Sequence, residues 1–210
     1  MSKYFNYFPK TVYSLDNTND VDVVTSIVSR FSFEKDFKNN TAVYYEYNIQ
    51  DSDTPEIIAN KFYGDSEKHW VVMMLNDIVD PQFDWPLDQR TIISYINEKY
   101  SANASVGQSG VTWAQANIHS YYKVETRTTN STNTDFETKL EVDANTYANV
   151  AATTTNLQLE DGNSITITTS KETKSYYDYE IEQNENKRLI KLLKPEFISP
   201  IEDELRAVFR

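Results

Sequence analysis

The sequence predicts an α+β chain: an extended N-terminal arm, a helical module reaching about Tyr100, a small antiparallel β region, and a C-terminal tail. Three observations predict it. Between Asp20 and Tyr100 apolar residues recur at helical spacing, punctuated by a Thr-Pro start and a Gly stop. Beyond Tyr100 the chain turns rich in Ser, Thr, Asn and Ala, and short alternating runs replace the helical pattern. Ahead of Pro9 stands an aromatic cluster, Tyr4, Phe5, Tyr7 and Phe8, and proline disfavours helix in the residue before it. The organisation read from this is an arm over 1–18, a helix and helical module over 19–100, a β-containing region with long loops over 101–182, and a tail over 183–210.

Taken in order, Val21, Val24, Ile27, Val28 and Phe31 predict a first helix, with Asn19 or Asp20 as its cap. Val43, Tyr45, Tyr47 and Ile49 alternate and predict a half-buried strand. The turn Asp51-Ser52-Asp53 leads into a helix. Thr54 can accept an orphan N–H there, and Pro55 sits where its missing N–H costs nothing. That helix stops at Tyr63-Gly64. A second runs from about Glu67 to Asn76 with Trp70, Val71, Met74 and Leu75 inward, capped by Asp65 or Ser66. A third runs from about Leu87 to Tyr100 with Ile92, Ile93, Tyr95, Ile96 and Tyr100 inward. Alternation predicts strands over 119–126, 136–142, 157–159 and 165–168, with Asp161-Gly162 as a hairpin turn, while 147–156 suggests no regular element. Residues 175–182 read as a strand, 188–193 as a strand or short helix, and Ile201, Leu205, Val208 and Phe209 as an amphipathic turn.

Composition narrows the function. The 210 residues carry 20 Lys+Arg against 32 Asp+Glu, a formal charge of −12, which opposes nucleic-acid or membrane binding through a broad basic patch. With 39% hydrophobic residues the chain is too apolar for disorder. Absence of cysteine removes thiol catalysis and thiolate metal sites. Four glycines supply neither a dinucleotide fingerprint nor a phosphate loop, and no nucleophile elbow or HExxH helix occurs. His69 and His119 lack ligand spacing, so both are expected to be structural. No apolar run of signal-peptide length opens the chain and none is long enough to span a bilayer, so it is expected to act without crossing a membrane by the secretory route. The expectation is therefore a protein that is no enzyme and has no catalytic residues, cofactor, metal or small-molecule substrate.

The stretch Tyr47-Asn48-Ile49-Gln50-Asp51-Ser52-Asp53-Thr54-Pro55-Glu56-Ile57-Ile58-Ala59-Asn60-Lys61-Phe62-Tyr63-Gly64, followed by Trp70, Asn76, Ile78 and Pro81, resembles a LysM module over about forty residues. A wider frame adds the aromatic arm, His69-Trp70, Leu75-Asn76, Asp80-Pro81 and Asp84-Trp85-Pro86-Leu87. It continues in the C-terminal Tyr-Glu-Ile-Glu and Ile-Lys-Leu-Leu-Lys-Pro-Glu. Together these resemble the baseplate wedge protein 53 family of T4-type contractile-tailed bacteriophages, over residues 1–100 and 175–200. The resemblance implies a structural virion protein of the tail baseplate, made in the host cytoplasm. It would link neighbouring wedge complexes around the central hub, with other wedge subunits and hub or tail-tube proteins as partners. It also implies that the LysM-like part serves protein contact. In a sugar-binding LysM a closing strand follows where Trp85-Pro86-Leu87 here enters a helix, so either that strand comes later in the chain, at 121–126 or 176–182, or the LysM fold is incomplete.

Candidate interaction residues follow from these readings. Tyr4, Phe5, Tyr7 and Phe8 either pack across their own domain or dock on a neighbouring subunit. Phe83 and Trp85, opposite Asp51 to Thr54 with Asp53 and Thr54 as the candidate contacts, would line a glycan groove in a LysM module; a Trp flanked by Pro in a tight loop more often plugs a small core or meets another subunit. The rival functions are a cell-wall glycan-binding module and a peptidoglycan hydrolase, the latter requiring a carboxylate pair across a cleft. Fifteen tyrosines suit an interaction protein.

Overall fold

A computed structural model describes residues 3–14, 21–29, 31–130, 134–160 and 162–209. In chain order it contains a 3-10 turn, Lys3–Tyr7, then strands β1, Lys10–Tyr13, and β2, Asp22–Thr25. Next come helix α1, Lys35–Asn39; strand β3, Tyr44–Asn48; helix α2, Pro55–Tyr63; a 3-10 turn, Ser66–Lys68; and helices α3, His69–Leu75, and α4, Pro81–Asp84. Helices α5, Gln89–Lys99, and α6, Gly110–Ala116, precede strands β4, Ile118–Thr129, and β5, Thr134–Val142. Then follow helix α7, Ala144–Asn149; strands β6, Thr153–Gln158, and β7, Ser164–Ser175; and helix α8, Tyr176–Glu185. The chain closes with strand β8, Leu189–Leu193, a 3-10 turn, Pro195–Phe197, and helix α9, Ile198–Val208. The mixture is α+β, as the sequence predicts. Two compact units result, residues 1–88 with 185–210, and residues 89–184.

The first unit is built around an antiparallel pair of β3 and β8, with Tyr47 opposite Ile190 and Tyr45 opposite Leu192. This partner is neither of the expected closing segments. Residues 121–126 belong to β4 and 176–182 to α8, whereas Leu189–Leu193 carries the apolar alternation that fills the core behind β3. Thr54 caps α2 by accepting the Ile57 N–H at 3.3 Å, and Gly64, at φ +70°, ends it in the left-handed region where a Cβ is costly. Helix α3 is apolar nearly all round and lies between two clusters. Trp70, Val71 and Leu75 meet Phe33, Val43, Leu193, Ile198, Ile201 and Leu205, while Val72 meets Ile49, Ile58, Ile190 and Leu192. Asn76 fastens its end. The Asn76 amide donates to Lys191 O at 2.8 Å and accepts the Lys191 N–H at 2.7 Å, standing in for a neighbouring strand on β8.

Two expectations for the N-terminal part are corrected. The helix predicted from Asp20 to about Ser32 gives way to β2, because its Val, Ile and Thr residues are β-branched and lose rotamer freedom in a helix. Its proposed caps, Asn19 and Asp20, lie outside the described residues. The arm is not extended throughout: Lys3–Tyr7 winds into a 3-10 turn so that its rings reach one another, and only Lys10–Tyr13 is extended. Residues 1, 2 and 15–18 of the arm lie outside the described residues.

The second unit carries a four-stranded antiparallel sheet in the order β5-β4-β7-β6. Gly162, at φ +82°, lies between β6 and β7; Asp161 is outside the described residues. The span 147–156 holds the end of α7 and the start of β6, contrary to expectation. Asp143 nucleates α7 by accepting from Asn145 and Thr146 N–H groups at 2.9 and 3.0 Å. Residues 176–182 are helical rather than extended, because Ser175 Oγ accepts the Asp178 N–H at 3.0 Å and starts α8. Beneath it Tyr100 stacks on Trp113 at 5.5 Å, Tyr176 contacts both rings, and Glu180 accepts from Lys99 and the Tyr100 hydroxyl at 2.7 Å each. Burial and the Glu180 bond both raise the Tyr100 pKa; for Lys99 burial works the other way and the bond to Glu180 outweighs it.

Candidate functional site

Two places in the first unit gather the sequence-derived candidates. The turn between β3 and α2 brings Asp53 inward to 7% exposure. Its Oδ2 accepts the Tyr47 hydroxyl at 2.6 Å and the Gln50 N–H at 3.1 Å, its Oδ1 accepts Lys61 Nζ at 2.6 Å, and its carbonyl accepts the Trp85 indole N–H at 2.9 Å. Burial alone would raise the Asp53 pKa. The bonds from Lys61, Tyr47 and Gln50 outweigh it and hold the carboxyl below its ordinary value. Donating to that carboxylate pushes the Tyr47 phenol up to about 12.

Asp53 and Trp85 are therefore joined, with the indole N–H and the carboxylate directed into the unit's own turn. Thr54 is exposed and serves as the α2 cap. Phe83 is separate in character: the residue is 71% exposed, while its carbonyl accepts from Lys187 Nζ at 2.6 Å. Arg188 braces the same loops, donating to Ile49 O at 3.1 Å and to Asp51 at 2.7 Å. Tyr47, Lys61 and Arg188 did not emerge from the sequence. Lys61 lies two turns along α2 from the Asp53 turn, a spacing that could have suggested it; Arg188 is too distant in sequence to suggest anything.

Removing the Asp53 carboxylate is expected to cost about 2 kcal/mol, because Tyr47 and the Gln50 N–H lose a charged acceptor while half-exposed Lys61 is resolvated. The sign with pH follows from the lowered pKa. Stability from this group is fully present above about pH 4 and is lost as pH falls through the lower native value. Urea titrations of wild type and Asp53→Asn should thus differ at neutral pH and converge in acid. A gap that persists unchanged to the lowest pH would contradict this.

The second place is the aromatic arm. Tyr4 stacks on Trp70 at 5.2 Å, Phe8 is buried and stacks on Phe209 at 5.0 Å, and Tyr7 lies 6.3 Å from Trp70 with Arg206 over its ring. Phe5 keeps 42% of its surface exposed. Beside these rings lies a cavity of about 670 Å³, lined among others by Tyr4, Phe8, Ile27, Trp70, Met73 and Val79. Its lining is mainly carbon, which suits an apolar side chain better than a sugar. His69 Nδ1 lies 3.1 Å from Ser66 O, and in the second unit His119 stacks on Tyr179 at 3.8 Å.

Among the described residues no group of three or more His, Asp or Glu could hold a metal ion, and no helix is long and apolar enough to cross a membrane. Fold and site together define an α+β protein whose buried charges hold its own loops in place and whose aromatic residues gather near its N-terminus. The model of the family described as base plate wedge protein 53 matches residues 3–206, and the chain belongs to that family. It thereby stands among the structural proteins of the phage baseplate wedge. Baseplate wedge protein gp53 of Enterobacteria phage T4 is 28% identical over 99 residues, which cover 46% of this chain and 50% of the T4 protein. The match thus spans about half the length of that relative.

Proposed function

We propose that the chain is a non-enzymatic subunit of a phage tail baseplate that links neighbouring wedge complexes around the central hub through protein contacts. The observation that carries this reading is the β1–β2 ribbon. Val12 and Val23 on one face and Tyr13 and Val24 on the other are 62%, 67%, 57% and 40% exposed, and Ile27 and Val28 continue the patch at 73% and 85%. A two-stranded ribbon is marginal in water by itself, and apolar side chains on both faces favour a third protein surface against it. The arm over 1–18 anchors that contact, with Tyr4, Tyr7 and Phe8 fixing its root on Trp70 and Phe209, and Phe5 facing the partner.

The order β3, α2, α3, β8 supports reading the core of the first unit as LysM-like, used here for protein contact. Exposed Phe83 is then an anchor, with Trp85, Asp53 and Thr54 shaping the loop that presents it. The partners of this reading are other wedge subunits, neighbouring wedges, and hub or tail-tube proteins; synthesis takes place in the host cytoplasm. Several linked contacts raise one another's effective concentration, so the whole binds more tightly than any part.

Co-assembly of purified wedge proteins from the same phage tail tests the reading. Full-length chain is expected to enter the wedge complex and a chain lacking residues 1–18 to be lost from it, with Phe83→Ala weakening entry. Unchanged entry of the truncated chain would remove the arm as an anchor.

A further inference from the structure

The two edges of the second unit's sheet are chemically unlike. The β5 edge alternates Asp135, Glu137, Lys139 and Glu141 with its other residues, the kind of charged edge that discourages strand addition. The β6 edge, Thr-Thr-Thr-Asn-Leu-Gln, carries no charge and no proline, and all six residues are exposed. Among the described residues no strand lies beyond it. In a chain of net charge −12, this uncharged, exposed edge strand is a place where a second strand meets no like charge at the contact itself.

We propose that β6 pairs antiparallel with β6 of a second copy of this chain, joining two four-stranded sheets edge to edge. The reading is independent of the wedge-linking role. A twofold axis normal to the sheet keeps each face continuous, so residues opposite one another must point to the same side. Centring the axis on Thr155 meets that condition: Thr155 faces its own copy, Thr153 faces Leu157, and Thr154 faces Asn156. Thr-Thr and Thr-Leu pairs are favourable on a pleated surface, and none of the pairs opposes like charges.

The register within one copy extends the case. Leu157 lies opposite Ile165, Thr155 opposite Ile167, and Arg127 opposite both Ile167 and Phe136. One face of the sheet therefore carries Leu157, 46% exposed, at the β6 edge, while Phe136 on the same face lies at the opposite, β5 edge. Pairing through β6 places each Leu157 beside the partner's strand and covers part of that surface. By contrast, β5 self-paired about Thr138 would set Asp135 against Glu141, a like-charge opposition beside the attractive Glu137–Lys139 pairs, whereas the β6 pairing opposes no charges at all. A six-residue edge is a small contact, so the dimer is concentration-dependent in free solution and strengthened wherever an assembly holds two copies close.

Sedimentation equilibrium of the full chain over a wide concentration range tests this. The mass is expected to rise from 24.4 kDa towards twice that value. Thr155→Lys and Thr155→Glu, each placing like charges opposite one another, should raise the dissociation constant about tenfold or more, and mixing the two variants should restore dimers. Thr155 is exposed, so circular dichroism of both variants should match wild type. A chain that stays monomeric at the highest soluble concentration would overturn the proposal. So would charge variants that dimerise like wild type, or a mixture that fails to recover dimers.

Discussion

Deleting residues 186–210 is expected to unfold the first unit outright. The deletion removes β8, leaving β3 without a partner, and takes Ile190, Leu192, Leu193, Ile198, Ile201 and Leu205 out of the core. Each buried aliphatic side chain is worth about 1.5–3 kcal/mol, so six of them exceed or match the roughly 5–15 kcal/mol by which a domain is stable. Asn76 would also lose both bonds to the Lys191 backbone. Far-ultraviolet circular dichroism and urea unfolding should show the loss of one cooperative transition. Leu192→Ala, a milder change at a fully buried site, should lower stability by about 2–5 kcal/mol while keeping the transition. A truncated chain that unfolds like the full one would show that β8 and α9 are dispensable.

Gly110→Ala is the second change with a large expected effect, this time in the second unit. A Cβ at Gly110 would lie 2.2 Å from Asn97 O, 3.0 Å from Asn97 C and 3.0 Å from Ser101 N. These are backbone atoms of α5 and the residue that closely follows it, and they cannot rotate away as a side-chain tip can. Gly110 and Ala114 are both buried and one turn apart on α6, which is what lets that helix approach α5 closely. The methyl group must push the helices apart, at a cost of about 3 kcal/mol. Gly107→Ala is the control. Gly107 has open space around it and only its φ of +85° resists a side chain, so about 1 kcal/mol is expected there. Thermal unfolding of the two variants should separate them clearly; equal shifts would contradict the close approach.

Local chemistry explains which elements were legible in the sequence. The run from β3 through α3 could be read almost residue by residue, because Thr54, Pro55, Gly64 and Asp65 mark starts and stops with groups that act within four residues. The stretch after Asp20 misled because valines at helical spacing are also the residues most at home in a strand, and the ribbon pairing decided between the two. At Ser175 the spacing to Asp178 is a helix-start signal that the tyrosines after it obscured. The pairing of β3 with β8 spans most of the chain. Residues 188–193 read as a strand or a short helix, and nothing local says that they form a strand or which strand they join. The same holds for the site. Asp53 and Trp85 were placed together from the resemblance, yet the hydrogen bonds that turn Asp53 inward come from Tyr47 and Lys61, whose roles depend on how the turn folds back. Glu180 with Lys99 and Tyr100 is wholly a product of tertiary structure.

Hydrogen exchange of the backbone amides in Lys10–Tyr13 and Asp22–Thr25, compared between the free chain and the assembled wedge, tests the central claim most directly. Fast exchange in the free chain and strong protection in the assembly are predicted, since a bare ribbon opens readily and a covered one does not. Equal, fast exchange in both states would mean that no partner covers the ribbon, and would contradict a linking role for the arm.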